Sequence, residues 1–139
     1  MPVKKLKEKF YLGNSNLPTA QTEYDYTPEM IKEIAKCKKN IIHFASNYFF
    51  IINVDDGRQK IKLHKFQTRI LKALTENRFN ILLASRQIGK TTIMTIYALW
   101  VALFEEDQRI LIVANKEQTA KMILKRIKTA FEMMPNFIK

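Results

Sequence analysis

The chain carries one cysteine, three glycines and four prolines in 139 residues, and each scarcity excludes something. A lone Cys37 cannot close an internal disulfide, which suits a reducing cytoplasm, and by itself it offers no metal cluster. The two histidines, His43 and His64, show no metal-ligand spacing and read as surface or helix-start residues. No segment is low-complexity and no internal repeat occurs. The longest apolar run, near Tyr97 to Phe104, is too short for a bilayer, which takes roughly 20 residues. Met1 to Phe10 is basic with no apolar run behind it, so neither a signal peptide nor a membrane partner is expected.

The composition that remains is globular: 47% of residues are hydrophobic and 11% aromatic, enough for one modest core. Net charge is +11 with a pI near 9.8, which favours a polyanionic partner such as nucleic acid. The excess is spread along the chain. Up to and including Lys65 there are 12 basic and 7 acidic residues, and after it 12 and 6. No single basic stripe stands out.

Local patterns divide the chain into three parts. Residues 1–26 read as a flexible basic arm, with Lys4, Lys5, Lys7 and Lys9 ahead of the breakers Gly13, Asn14 and Pro18. Residues 27–78 read as a helical and β-hairpin lead-in. Thr27-Pro28-Glu29 opens a helix that runs to Lys38 or Lys39 and presents Ile31, Ile34 and Ala35. Ile41 to Tyr48 suggests a second helix. Phe49 to Val54 and Lys60 to Leu63 suggest a hairpin about Asp55-Asp56-Gly57. Lys65 to Asn77 is amphipathic, with Phe66, Ile70, Leu71 and Leu74 on one side.

Residues 79–139 follow a different rhythm. Phe79 to Leu83 and Arg109 to Ala114 are continuous apolar runs, read as strands of a parallel sheet buried on both faces. An apolar helix from Thr91 to Phe104 joins them. A last helix, about Glu117 to Met134, places Ala120, Ile123, Leu124, Ile127 and Phe131 at core spacing before Pro135. The fold class expected is α/β, with a β–α–β–α skeleton that opens a doubly wound domain.

Between the first strand and its helix lies Ala84-Ser85-Arg86-Gln87-Ile88-Gly89-Lys90-Thr91. It departs from G-x-x-x-x-G-K-[ST] by Ala84 in place of the first glycine and by an added cation, Arg86. Strand, loop and helix in that order make a phosphate cradle, because backbone N–H groups meet the anion at a helix N-terminus. Lys90 is then placed for the β- and γ-phosphates and the Thr91 hydroxyl for Mg²⁺, which makes ATP and Mg²⁺ the expected ligands. Gly89 lets the backbone approach a phosphate oxygen. Arg86 either stabilises charge on a transferred phosphoryl group or holds a catalytic carboxylate; the plainer alternative is a surface arginine. Gln67 could bond adenine through its amide while Phe66 stacks on the base, although a glutamine on a helix is usually just solvated.

The string Ser85-Arg86-Gln87-Ile88-Gly89-Lys90-Thr91-Thr92 resembles the deviant Walker A loop of the large terminase subunit of tailed phages, the T-even-like group in particular. Lys65-Phe66-Gln67 is similar to that family's adenine-binding pair. Ile112-Val113-Ala114-Asn115-Lys116 looks like its strand and loop at helicase motif Ia, and Leu124 to Ile138 like the helix and exit that follow. The resemblance covers about residues 40 to 139. It implies a RecA-like P-loop ATPase that drives double-stranded DNA into a procapsid. It also implies a portal protein, a small terminase subunit and the remainder of a terminase chain as partners, in the host cell cytoplasm. On it, Lys90 and Arg86 are catalytic, residues 85–92 with Phe66 and Gln67 hold the nucleotide, Thr91 holds the metal, and Asn115 and Lys116 lie near the DNA-responsive face.

A strand ending in Asp-Glu, which such an ATPase needs for metal and water, does not follow Ala114. Val101 to Glu106 imitates one, but that stretch must be the tail of the helix leaving the loop. The P-loop sheet is therefore expected to be incomplete, and the chain to bind ATP without hydrolysing it alone. Two other readings stay open: the front of a superfamily-2 helicase or related translocase, and a non-catalytic module that binds DNA or a terminase partner.

Overall fold

A computed structural model describes residues 10–19, 22–53 and 57–139. The basic cluster Lys4 to Lys9 and the hairpin residues Asp55 and Asp56 lie outside the described residues. Residues 10–18 form a hook, with a single 3-10 turn at Tyr11–Gly13 and a bridge between Phe10 and Pro18. Lys139 ties this hook to the other end of the chain by donating to the Asn16 and Glu132 carbonyls.

Helix α1 (Pro28–Lys39) begins where Thr27 Oγ1 accepts the Met30 N–H at 3.3 Å, and its last turn carries Lys36, Lys38 and Lys39 against the negative end of the dipole. Asn40 then serves two helices at once. Its N–H closes α1 on the Lys36 carbonyl, and its Oδ1 accepts the Ile42 and His43 N–H groups that open α2 (Ile41–Tyr48). That double cap turns the chain in one residue and packs α1 against α2. The hairpin follows as β1 (Phe50–Asn53) and β2 (Gly57–Lys60), antiparallel, with Phe50 opposite Lys60 and Ile52 opposite Arg58. β2 lies earlier than the Lys60 to Leu63 expected: the ladder begins at Gly57, its last bond is from the Ile61 N–H to Phe49 O, and residues 61–64 carry no regular structure.

The core lies between α2, α3 (Lys65–Glu76) and α4 (Lys90–Phe104), with α5 (Glu117–Glu132) on the far side of α4. Phe44, Leu71, Ile93 and Ile96 are fully buried in it. Phe44 meets Phe104 edge to face at 5.6 Å. Trp100 donates its indole N–H to the Cys37 carbonyl at 2.9 Å and so fastens α4 to α1. Most of the expected apolar residues reach the core: Ile34 of α1, Ile70, Leu71 and Leu74 of α3, and Ile127 and Phe131 of α5 lie in it or pack against it, whereas Ile31, Phe66 and Leu124 are exposed. Cys37 and Ala130 are buried without having been expected there.

The parallel sheet is not formed among the described residues; the one sheet is the two-stranded hairpin. Residues 79–85 and 108–114 carry no regular secondary structure, and none of their N–H or C=O groups bonds another backbone group among the described residues. Ile81 and Leu83 are 101% and 97% exposed, Leu111 and Val113 are 86% and 80% exposed, and Phe79, Leu82 and Ile110 are exposed as well; only Ala84, Ile112 and Ala114 are half-buried among the apolar residues of the two segments. The segments thus leave most of their apolar side chains in water. A helix satisfies its own backbone, but a strand needs a neighbour, and these two runs have none among the described residues. Each bare aliphatic side chain forgoes about 1.5–3 kcal/mol of burial.

Amides 81–83 and 110–113 are therefore expected to exchange with deuterium close to the rate of an unstructured peptide, while those of Ile96 to Phe104 are strongly protected. Mass-resolved hydrogen exchange on the isolated chain checks this. Protection of both apolar segments comparable to α4 would mean that they are paired in solution.

Candidate functional site

The octet read from the sequence sits where one of the unpaired extended segments enters α4. Two residues in the left-handed region turn the chain: Gln87 at φ 64° and Gly89 at φ 83°. Gly89 is the N-cap of α4 and has no side chain to cap with; its carbonyl accepts the Ile93 N–H at 3.0 Å. Lys90, the first helical residue, folds back across the loop. Its Nζ donates to Ala84 O at 2.6 Å and Ser85 O at 2.9 Å, closing a ring from Ala84 to Lys90 through one ammonium group. Ser85, Arg86 and Gln87 are exposed on the outside of that ring.

The positive end of a 15-residue helix, the Lys90 ammonium and the Arg86 guanidinium thus lie within one short stretch of chain. The N–H groups of residues 85–89 make no backbone hydrogen bonds among the described residues. Unbonded N–H donors and positive charge at a helix N-terminus make the local field favourable to an anion. Arg86 forms no ion pair with a described carboxylate. Thr91 and Thr92 are half-buried on the first turn, and Thr91 O accepts the Thr95 hydroxyl at 2.8 Å.

Phe66 and Gln67 part company. Phe66 is exposed, its ring stacked 5.7 Å from that of His64. Gln67 is only 7% exposed and both ends of its amide are bonded within the protein. Oε1 accepts the His64 N–H at 3.0 Å, and Nε2 donates to Ile88 O at 3.2 Å. The glutamine therefore links the start of α3 to the loop 84–91 across 21 residues of chain. Gly89 belongs to the same contact, since a Cβ there would meet Gln67 Nε2 at 2.8 Å. The left-handed φ holds position 89 to glycine, and any Cβ there would also push the end of the Gln67 side chain away from Ile88 O. Asn115 and Lys116 are exposed just before α5, and Val101 to Phe104 are helical, as the rejection of a carboxylate-bearing strand there requires.

One cluster went unread in the sequence. Glu33 and Cys37, one turn apart on α1, meet His43 of α2 with their ligand atoms all within 4.8 Å of one another. His43 Nε2 lies 2.6 Å from Glu33 Oε1, which also accepts the Tyr48 hydroxyl at 3.0 Å. These bonds hold the Glu33 carboxyl below its ordinary range, and burial pushes the Cys37 thiol up to about 12. The sequence reading of Cys37 as no metal cluster by itself, and of His43 as a surface or helix-start residue, is amended by the turn at Asn40, which brings the two together with Glu33. The available signal was Glu-x3-Cys on a helix with a histidine six residues further on.

A glycine-capped helix behind a basic loop is the part of this chain that matches a terminase family. That family's model is described as terminase large subunit, T4likevirus-type, N-terminal, and it covers residues 81–139. The match bears out, over that part of the chain, the resemblance carried by the loop. Phe66 and Gln67 stand outside the matched residues.

Gly89→Ala is expected to lower stability by about 1–3 kcal/mol, from the left-handed backbone and the close approach together. In a double-mutant cycle with Gln67→Ala the losses should not add, because removing the amide relieves the contact. Urea unfolding of the wild type, both single variants and the pair measures the coupling. Strict additivity would show that Gln67 does not press on the loop.

Proposed function

We propose that this chain is the nucleotide-binding front of a large terminase subunit and takes ATP·Mg²⁺ on the loop 84–91 in the service of viral DNA packaging. The observation that carries the reading is the ring closed by Lys90 over unbonded backbone donors at the head of α4, inside the residues that match the terminase family. For phosphate to enter, the ammonium must exchange the Ala84 and Ser85 carbonyls for anionic oxygens, a trade of neutral acceptors for charged ones. The Thr91 hydroxyl is the oxygen this chain offers to Mg²⁺, and that ion would neutralise phosphate charge when bound. Gly89 allows the backbone to approach, and Ser85, Gln87, Ile88 and Thr92 supply the N–H groups around the anion.

Phe66 presents an exposed ring on which a base can stack. We assign Gln67 a double role in this reading. To adenine it would offer its second Nε2–H and the remaining lone pair of Oε1, the first of each being held by Ile88 O and the His64 N–H, and through Ile88 it would transmit base occupancy to the loop. Arg86, outside the ring and free of a described carboxylate, is the group that would stabilise phosphoryl charge during transfer.

The RecA-like parallel sheet belongs to the proposal as well. The bare segments 79–85 and 108–114 become its strands once further strands lie beside them, and the carboxylates for hydrolysis come from that addition. Double-stranded DNA, favoured by a net charge of +11, a portal protein and a small terminase subunit are the partners this role calls for. No helix among the described residues is long and apolar enough to cross a membrane.

Calorimetric titration with ATP and Mg²⁺ tests the reading. Lys90→Ala should weaken binding by roughly 10- to 100-fold, the worth of one charge-assisted contact, while Arg86→Ala should change affinity only a few-fold. Equal affinity of wild type and Lys90→Ala, or no binding by a folded wild type, defeats the proposal. Rapid Lys90-dependent turnover by the chain alone would defeat the part of it that places hydrolytic carboxylates elsewhere.

A further inference from the structure

The Glu33–Cys37–His43 cluster is independent of the loop 84–91 and has the ingredients of a metal centre. Three different donors converge from two helices: a carboxylate and a thiol at i and i+4 on α1, and an imidazole from α2. The hydrogen bonds already described account for Glu33, His43 and Tyr48. They leave the buried Cys37 thiol facing a carboxylate oxygen and a ring nitrogen, with no role in that network.

We propose that Glu33, Cys37 and His43 form a zinc(II) site that joins α1 to α2. The donor set selects the metal. Magnesium and calcium ask for oxygen throughout, whereas a thiolate with an imidazole and one carboxylate suits zinc. Bonds of roughly 2.0–2.3 Å in a tetrahedron place ligand atoms roughly 3.3–3.8 Å apart. The atoms here, 2.6 Å apart for His43 and Glu33 and within 4.8 Å overall, reach that by opening one pair and drawing in the thiol. On binding, the metal takes the place of the thiol proton, which is released to solvent, and of the His43 Nε2 proton, which passes to Nδ1 of the same ring.

His43 and Glu33 are part-exposed while Cys37 is buried, so the open side of the site faces water and can supply a fourth ligand. Asn47 Nδ2 lies 3.3 Å from His43 Nδ1 and donates to the His43 carbonyl at 2.9 Å, which fixes the amide beside the outer edge of the ring. Because the Cys37 carbonyl also holds the Trp100 indole, a filled site would stiffen the attachment of α1 to α4 as well as to α2.

The full chain, purified metal-free, is titrated with Co²⁺ and then Zn²⁺. One Co²⁺ per chain with a thiolate-to-cobalt charge-transfer band and tetrahedral visible bands is the expected result, with both displaced by Zn²⁺. Cys37→Ser should remove the charge-transfer band and His43→Gln should weaken binding by roughly tenfold or more. Zinc should also shield Cys37 from a thiol reagent in the wild type, a readout that does not depend on a variant folding. A folded wild type that shows no charge-transfer band, or a band that persists in Cys37→Ser, overturns the proposal.

Discussion

Helix α4 is apolar around most of its circumference, with Ile93, Thr95, Ile96, Leu99 and Phe104 all buried, and it can exist in water only if neighbours cover it. α2 and α3 cover one side and α5 the other, while Trp100 reaches α1 through the Cys37 carbonyl. The rest of the arrangement follows from that need. The double cap at Asn40 turns the chain so that Phe44 can meet Phe104, and the bond from Gln67 to Ile88 sets where the N-terminus of α4 begins.

The same helix gives the loop its chemistry. Its N-terminus concentrates free N–H donors, and Gly89 lets the chain enter it from the left-handed region with the Gln67 amide close behind. Lys90 bridging to Ala84 and Ser85 keeps the loop curled around its own cation. A rigid, covered helix thus ends in a loop whose outer residues, Ser85 to Gln87, remain free. Stability on one side of Gly89 supports availability on the other.

Much of this was legible because the signals are local. Thr27-Pro28, the 3.6-residue spacing in α3 and Gly89-Lys90-Thr91 act through neighbours in the chain, and the helices fall within a residue or two of where these signals put them. Burial was read less well. Ile31 and Leu124 suit a core as well as Ile34 and Ala130 do, and only the packing of one helix on another selects between them. Gln67 is the sharpest case: a polar residue on a helix reads as solvated, yet it is buried because the loop brings an otherwise unpaired carbonyl to it.

By itself the sequence determined the helices and the likeness of the loop 84–91 to that of a large terminase subunit, since each rests on residues a few positions apart. Tertiary structure decided the pairing of α1 with α2 that gathers Glu33, Cys37 and His43, the double bonding of Gln67 and the fate of the two apolar runs. The physical reason is the reach of the hydrogen bonds. A helix closes them four residues back along its own chain, so its sequence suffices. Segments 79–85 and 108–114 must find a strand elsewhere, and without one an apolar run stays extended, mostly exposed and unpaired.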